Sequence, residues 1–304
     1  MTQDINDFQL ELGQSSEIGM AIALALMMFS VALGLRMEHF SFIREAPRVF
    51  VAGLIGQLFL LPLLTLFLVF VLQPIPSVAL GMILIACCPG GNVSNMLVLL
   101  ARGNTALSVS LTASSSFAAA FVTPISIVFW SSLYPPTAEL LTSIQFDVLS
   151  FLIQTSVILV LPLALGMFCV HYFERFSAMI RRPLVTVSSI LLLVIIVTAT
   201  IKYWAVFVVL GAGLVGIVAV HNALAFIVGN SVARIAKADV PSRRALTFEV
   251  GIQNSGLGIV ILLTQMGGLG GAAAVAGLWG SWHIIAGLVL VAAFRFSDRR
   301  VKNM

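Results

Sequence analysis

The sequence predicts an all-α integral membrane protein with nine transmembrane helices. Hydrophobic residues make up 60% of the 304 residues, charged residues make up 9%, and the mean hydropathy is +1.10. A soluble domain carries about 25% charged residues. The apolar residues fall into stretches of about 20, the length that crosses a bilayer as a helix. The lysines and arginines between these stretches fall almost entirely on one side of the membrane.

Nine apolar stretches follow one another, separated by short polar segments. They are residues 17–35, 48–72, 77–100, 104–133, 145–170, 184–201, 205–230, 245–266 and 270–294. Only Lys202, Tyr203 and Trp204 separate the sixth stretch from the seventh. If these two stretches formed one span, every later segment would be inverted.

The basic residues test this count, because cytoplasmic loops carry the excess of lysine and arginine. With the N-terminus outside and the C-terminus in the cytoplasm, fifteen of the 16 basic residues face the cytoplasm, and Lys202 is the exception. The fifteen are Arg36, Arg44, Arg48, Arg102, Arg175, Arg181, Arg182, Arg234, Lys237, Arg243, Arg244, Arg295, Arg299, Arg300 and Lys302. The net charge of +4 and the pI near 9.3 follow from this topology and do not indicate nucleic-acid binding.

Segments 1–16 and 295–304 are expected to lie outside the membrane, the first on the outer side and the second as a cytoplasmic tail. Segment 1–16 is acidic and lacks the basic region of a cleavable signal peptide, so we expect it to be retained. The three cysteines, two of them adjacent at Cys87 and Cys88, show neither a disulfide framework nor a zinc spacing.

Two spans are interrupted near their middle. The third contains Pro89, Gly90 and Gly91, which favour local unwinding. The eighth contains Glu249, an acidic residue in the middle of a long apolar stretch, followed by Gly251 and by oxygen-bearing side chains. An acidic residue at membrane depth indicates function, and no lysine or arginine lies inside a predicted span to neutralise it. This pattern predicts a broken helix that holds a cation.

The positions of these two spans predict an inverted repeat. They lie five spans apart and therefore cross the membrane in opposite directions. Spans one to four would pair with spans six to nine, and span five has no partner in the first half, which gives repeats of four and five helices. Paired broken helices indicate a transporter site at the midplane, and unwound backbone is tolerated there only where it lines a cavity or is buried.

Three motifs resemble the bile acid:sodium symporter family. They are CCPGGNVSN at residues 87–95, LARGNTALSVSLT at 100–112 and FEVGIQNSG at 248–256. The resemblance implies a core domain (48–133 and 205–294) that holds two crossed helices and a panel domain (17–36 and 145–201). It also implies two Na⁺ ions. The first would be held by Ser94, Asn95, Ser108, Thr112 and Glu249, and the second by Gln57, Glu249, Val250, Ile252 and Gln253.

The same resemblance implies that Asn92, Asn254 and His283 contact the substrate. The function it implies is Na⁺-coupled symport of an organic anion, either a bile acid-like molecule or a small carboxylate such as pantoate, by alternating access. It implies no enzymatic activity. The minimal loops favour a bacterial inner membrane, and nothing in the sequence requires more than a monomer.

Other interpretations remain open from the residues alone. Glu249 is compatible with proton-coupled transport or Na⁺/H⁺ exchange, and metalloid efflux would need a functional thiol at Cys87 or Cys88. Ser108 and Thr112 could each simply form a hydrogen bond to a neighbouring helix. Gln57 could form a hydrogen bond to the backbone group that Pro62 leaves unpaired. His221 and Asn222 are interpreted mainly as residues that hydrogen-bond between helices. An intramembrane protease is disfavoured because neither HExxH nor a pair of membrane-embedded aspartates is present.

Overall fold

A computed structural model describes residues 14–34, 42–202 and 204–302 of the chain. Within these ranges the secondary structure consists of helices and turns, together with one isolated pair of bridged residues. Most of the predicted N-terminal segment, residues 35–41 of the chain and Tyr203 lie outside the described residues.

Thirteen helical elements are described, labelled α1 to α13 in chain order. They are α1 Gln14–Ala32, α2 Phe42–Glu45, α3 Pro47–Leu72, α4 Pro76–Ala86, α5 Asn92–Leu100, α6 Thr105–Ser132, α7 Pro135–Ser143, α8 Val148–Tyr172, α9 Glu174–Lys202, α10 Trp204–Ile235, α11 Val240–Gly251, α12 Ser255–Gln265 and α13 Gly270–Lys302. Helix α3 includes a π-helical turn at Gly56–Leu60. Helix α10 includes a kink at Gly211, where φ is 50°.

Each predicted span coincides with one of these helices or with an interrupted pair. Among the described residues five helices are long and apolar enough to cross a membrane: Pro47–Leu72, Thr105–Ser132, Val148–Tyr172, Gly211–Ile235 and Gly270–Arg300. Gly19–Ala32, Pro76–Ala86 and Ser255–Gln265 are shorter apolar helices. The membrane-protein class of the prediction is therefore supported, whereas the total of nine spans stays a prediction.

The helices extend beyond the predicted spans. Two short helices were not predicted: α2 lies between the first and second predicted spans, and α7 lies between the fourth and fifth. The last helix continues to Lys302, so the described part of the predicted cytoplasmic tail is helical, and its location outside the membrane stays a prediction. Apolarity defines where a membrane segment ends, but it does not define where a helix ends.

Helix starts are fixed by the side chains that precede them. Asn104, Asp147, Asp239 and Asn254 each accept a hydrogen bond from a backbone N–H in the first turn of the following helix. This satisfies donors that a helix leaves unpaired. Proline occupies the first turn of several other helices, including α3 and α4, where its missing N–H has no cost.

Several pairs of helices pack closely along their length. Helix α1 contacts α8 and α9, whereas α10 packs along α11, and α13 packs against α4 and α12. The contact of α10 with α11 is especially close at Gly229, where an added Cβ would lie 2.5 Å from the main-chain oxygen of Leu246. Backbone approaches backbone there, and only glycine fits.

The two interrupted helices, α4–α5 and α11–α12, cross at their breaks. Gly90 in the first break forms an antiparallel bridge with Gln253 in the second. The backbone N–H of Asn254 donates to the carbonyl oxygen of Pro89 at 2.8 Å. Backbone groups released by each break are thus partly satisfied by the other break, which explains how unwound chain is stable in the interior.

Candidate cation and substrate site

Three hydroxyl groups converge on the carboxylate of Glu249. Ser94 Oγ and Ser108 Oγ each lie 2.5 Å from Glu249 Oε1. Thr112 Oγ1 lies 3.0 Å from Oε1 and 2.8 Å from Oε2. Glu249, Ser94 and Ser108 are fully buried, and Thr112 is 6% exposed. The predicted interior carboxylate is therefore surrounded by neutral oxygen atoms.

Asn95 extends this cluster. Its Oδ1 atom lies 2.7 Å from Ser108 Oγ and 3.3 Å from Thr112 Oγ1. Helix α5 contributes Ser94 and Asn95 from the first break, α6 contributes Ser108 and Thr112 one turn apart, and α11 contributes Glu249 from the turn before the second break. The structure thus brings together all five residues predicted for the first ion.

No cationic side chain neutralises Glu249 among the residues that the structure describes, since the one ion pair found there joins Arg244 to Asp298. An isolated carboxylate in a low-dielectric interior is unfavourable without a positive partner. One carboxylate among several neutral oxygens suits a hard cation that prefers oxygen ligands. The residues present therefore fit a cation such as Na⁺.

A second group of oxygens lies on the other side of Glu249. Gln57 Nε2 donates to the main-chain oxygen of Glu249 at 3.0 Å, and Gln253 Nε2 donates to that of Val250 at 2.8 Å. Both side chains are at most 2% exposed, and Gln57 Oε1 and Gln253 Oε1 have no hydrogen-bond partner. Two buried acceptors without donors are the feature expected of a site for a second cation.

Local backbone geometry delivers Gln57 to this site. Gln57 lies in the π-helical turn Gly56–Leu60, which breaks the regular spacing of α3, and such turns recur at functional sites. Gly90 leaves room for it, because a Cβ at residue 90 would lie 2.9 Å from both Gln57 Nε2 and Glu249 Oε2. Ile252, the remaining residue predicted for the second ion, is buried within the break.

A cavity of about 180 Å³ adjoins the crossing. Asn92, Asn254 and His283, the three residues predicted to contact substrate, all line it. On the opposite wall it is lined by α1 and α9, through residues that include Ser30 and Ser188. Thr112 and Gln253 also line it, so the cavity is continuous with both groups of oxygens.

His283 is oriented by its own helix. Its Nδ1 atom hydrogen-bonds the carbonyl oxygen of Trp279, one turn earlier, and a carbonyl can only accept. Nδ1 therefore carries the proton, and Nε2 is the ring nitrogen that remains for a ligand.

Sequence reasoning missed two features around the crossing. Asn222 on α10 donates through Nδ2 to the carbonyl oxygen of Gly251 at 2.7 Å, within the second break. Its position beside His221 in an apolar stretch signalled a buried polar residue but did not identify the partner. The second feature is Arg244, which was placed in a cytoplasmic loop. It lies inside α11, 8% exposed, and donates to Asp298 and to Ala101 O.

Fold and site together define a helical membrane protein with an oxygen-lined carboxylate at the crossing of two interrupted helices. The sequence model of the Sodium Bile acid symporter family matches residues 21–209, and the chain belongs to this family. The chain is 31% identical over 273 residues to a protein of Bacillus subtilis (strain 168) named "Uncharacterized sodium-dependent transporter YocS", covering 88% of this chain and 80% of that protein.

Two further relatives come from eukaryotes. A protein of Arabidopsis thaliana named "Probable sodium/metabolite cotransporter BASS1, chloroplastic" is 29% identical over 91% of this chain and 66% of its own length. The "Ileal sodium/bile acid cotransporter" of Homo sapiens is 28% identical over 78% of this chain and 67% of its own length. The relatives are named as sodium-dependent transporters, and the chain is a membrane protein of that transporter family.

Proposed function

We propose that this protein is a symporter that carries an organic anion together with Na⁺ by alternating access. It would have nine transmembrane helices arranged as an inverted repeat of four and five. The panel domain would comprise residues 17–36 and 145–201, and the core domain residues 48–133 and 205–294. This division is supported by the contacts of α1 with α8 and α9 within the proposed panel, and by those of α10 with α11 within the proposed core.

The observation that carries the proposal is the convergence of Ser94, Ser108 and Thr112 on Glu249 in the interior. In the proposal these residues and Asn95 hold the first Na⁺. The side chains of Gln57 and Gln253 hold the second Na⁺, together with Glu249 and the backbone of Val250 and Ile252. Freed carbonyls and buried amide oxygens of this kind suit Na⁺ in broken-helix transporters.

The substrate would occupy the cavity beside the crossing. Helix α5 begins at Asn92 with no side-chain cap, and α12 begins at Ser255 after Asn254. Helix N-termini favour negative charge. We propose that these two N-termini receive the carboxylate of a bile acid-like molecule or of a small acid such as pantoate, and that His283 Nε2 accepts a hydrogen bond from a hydroxyl of the same molecule. Because the cavity is bounded by both proposed domains, a relative movement of the domains would open it to either side.

Ion coupling gives this cycle a direction. One elementary charge moving through 100 mV is worth about 2.3 kcal/mol. If two Na⁺ accompany one monovalent anion, each cycle moves one net positive charge inward, so both the voltage and the Na⁺ gradient drive uptake. We propose that the protein lies in the inner membrane with its N-terminus outside and its C-terminus in the cytoplasm, because the basic residues then face the cytoplasm.

Thermal stability in detergent tests the ion site without knowledge of the substrate. Purified protein is heated across a range of NaCl concentrations, with KCl keeping the ionic strength constant. A ligand that binds only the folded state raises stability as its concentration rises. We expect a Na⁺-specific increase in the unfolding temperature that disappears in Glu249→Ala.

The matched control is Glu139→Ala, since Glu139 is an exposed acid on α7. This variant should keep the full response to Na⁺. An equal response to KCl and NaCl, or a response that survives in Glu249→Ala, would refute the proposal and favour a proton-coupled or thiol-dependent carrier.

A further inference from the structure

Three consecutive carbonyl groups at the end of α11 are each bound by a side-chain amide. Gln57 donates to the oxygen of Glu249, Gln253 to that of Val250 and Asn222 to that of Gly251, at 3.0, 2.8 and 2.7 Å. In a continuous helix these carbonyls would bond to the N–H groups of residues 253 to 255. The break diverts two of those groups, because Asn254 N donates to Pro89 O and Ser255 N to Gln253 O.

The same three amides share a second property. Gln57 Oε1, Gln253 Oε1 and Asn222 Oδ1 are all buried and all without a hydrogen-bond partner. Asn222 itself is fully buried. A buried amide oxygen normally accepts a hydrogen bond, so these three oxygens are acceptors available to a donor or a cation at the break. Asn222 belongs to this set, although it is not among the residues proposed above to bind either ion.

Helix α10 holds Asn222 firmly against the break. One turn after Asn222, Phe226 packs so closely on Gly251 that a Cβ there would lie 2.1 Å from the ring. Two turns after Asn222, Gly229 allows α10 to approach the backbone of α11. Gly251 is thus held from α10 by two residues one turn apart, since Phe226 packs on its Cα and Asn222 binds its carbonyl oxygen.

We propose that Asn222 is a positioning residue for the second Na⁺. By holding the Gly251 carbonyl it fixes the peptide units on both sides, so that the carbonyls of Val250 and Ile252 are presented to the ion together with the amide oxygens. This inference rests on the proposed function. Residues that orient the groups around a bound metal change its affinity about 10- to 100-fold when they are removed.

The test is the half-maximal Na⁺ concentration, meaning the concentration that half-saturates the folded protein, fitted from the rise of the unfolding temperature with Na⁺ concentration. We expect Asn222→Ala to raise this concentration about 10- to 100-fold, whereas Asn222→Gln, which keeps an amide donor, should recover part of the loss. The control is Thr155→Val, because Thr155 is a buried residue on α8 whose hydroxyl also lacks a partner. If Asn222→Ala yields no folded protein, Asn222→Ser replaces it, since serine is too short to reach Gly251.

The unfolding temperature in KCl separates positioning from a merely structural role. A structural role would lower that temperature and leave the half-maximal Na⁺ concentration unchanged, and this result would overturn the inference while the proposed function stands. Absence of a Na⁺ response in the wild type would overturn both the inference and the proposed function. A raised half-maximal concentration in Asn222→Ala, with an unchanged value in Thr155→Val, is the expected result.

Discussion

Ser108 Oγ donates to Glu249 Oε1 at 2.5 Å and thereby joins α6 to the end of α11. Ser110, two residues later on the same helix, donates instead to the carbonyl oxygen of Ala106 in its own helix at 2.9 Å. Both serines are at most 2% exposed. The two residues thus have the same chemistry and burial, and they differ in whether they contact the interior carboxylate.

This pair gives a direct test of the first ion site. We expect Ser108→Ala to raise the half-maximal Na⁺ concentration about tenfold or more, since a hydrogen bond to a charged group is worth about 1.5–3 kcal/mol and about 1.4 kcal/mol corresponds to a factor of ten. Ser110→Ala should leave it unchanged. Equal effects of the two substitutions on Na⁺-dependent thermal stability would contradict a specific role for Ser108.

A second pair of variants tests the packing of the crossing. A Cβ at Gly90 would lie 2.9 Å from Gln57 Nε2 and Glu249 Oε2, whereas at Gly91 the nearest atom would be 3.7 Å away, in Asn254. Overpacking of a tight interior site costs about 1–3 kcal/mol. We therefore expect Gly90→Ala to lower the unfolding temperature in KCl and to weaken the Na⁺ response.

Gly91→Ala serves as the control for that experiment. The residue has an extended backbone, with φ −115°, which alanine adopts without strain. The Gly91→Ala variant should unfold at the wild-type temperature and respond to Na⁺ normally. A normal Na⁺ response in Gly90→Ala would mean that the two breaks move apart more easily than their packing indicates.

The sequence predicted the crossing well because its signals are local. Pro89 and the glycines beside it locate the first break, and the lone acid at Glu249 locates the second. Both features stand out against apolar neighbours without knowledge of the fold. The residues predicted around them for ions and substrate lie at the crossing or line its cavity, although ion and substrate binding by them remain predictions.

Features that depend on packing between distant segments were not predictable in the same way. Asn222 reaches Gly251 only because α10 lies along α11, and no local pattern specifies that neighbour. Arg244 looked like an ordinary loop cation, since its partner Asp298 is 54 positions away. The π-helical turn that carries Gln57 also has no clear local signature beyond the nearby Pro62.

The ion pair of Arg244 leads to a prediction about stability rather than ion binding. Arg244 donates to both carboxylate oxygens of Asp298 and to Ala101 O at 2.7 Å, and its guanidinium lies 5.1 Å from the ring centre of Phe294. The Asp298 side chain is 25% exposed, so the pair is partly screened. We expect Arg244→Ala to destabilise the protein by about 1.5–3 kcal/mol, measured as a lower unfolding temperature.

Variants of the same cluster refine this prediction. Arg244→Lys should recover only part of the loss, because an ammonium group cannot reproduce the planar fork. Arg243→Ala, at the neighbouring half-buried arginine, is the control and should have a smaller effect. If the destabilisation of the double variant Arg244→Ala/Asp298→Ala equals the sum of the two single destabilisations, the two side chains are not coupled.

Replacing His283 should weaken substrate binding without changing Na⁺ binding. The ring is fixed by its bond to Trp279 O, so it can offer Nε2 to a molecule in the cavity. There Nε2 accepts a hydrogen bond from a substrate hydroxyl. Because His283 makes no described bond to the oxygen groups around Glu249, we expect His283→Leu to keep the wild-type response to Na⁺. It should lose most of the additional stabilisation that a bound organic anion gives.

The measurement compares unfolding temperatures in NaCl alone and in NaCl with cholate or pantoate, which represent the amphipathic and the small carboxylates. Leaving a buried substrate hydroxyl unpaired costs about 1–3 kcal/mol, which weakens anion affinity about 5- to 150-fold. Ser281→Ala, at an exposed position two residues earlier on α13, is the control. An anion effect of wild-type size in His283→Leu would exclude His283 as a substrate contact, whereas loss of the Na⁺ response itself would show that the cavity and the ion sites cannot be separated at this residue.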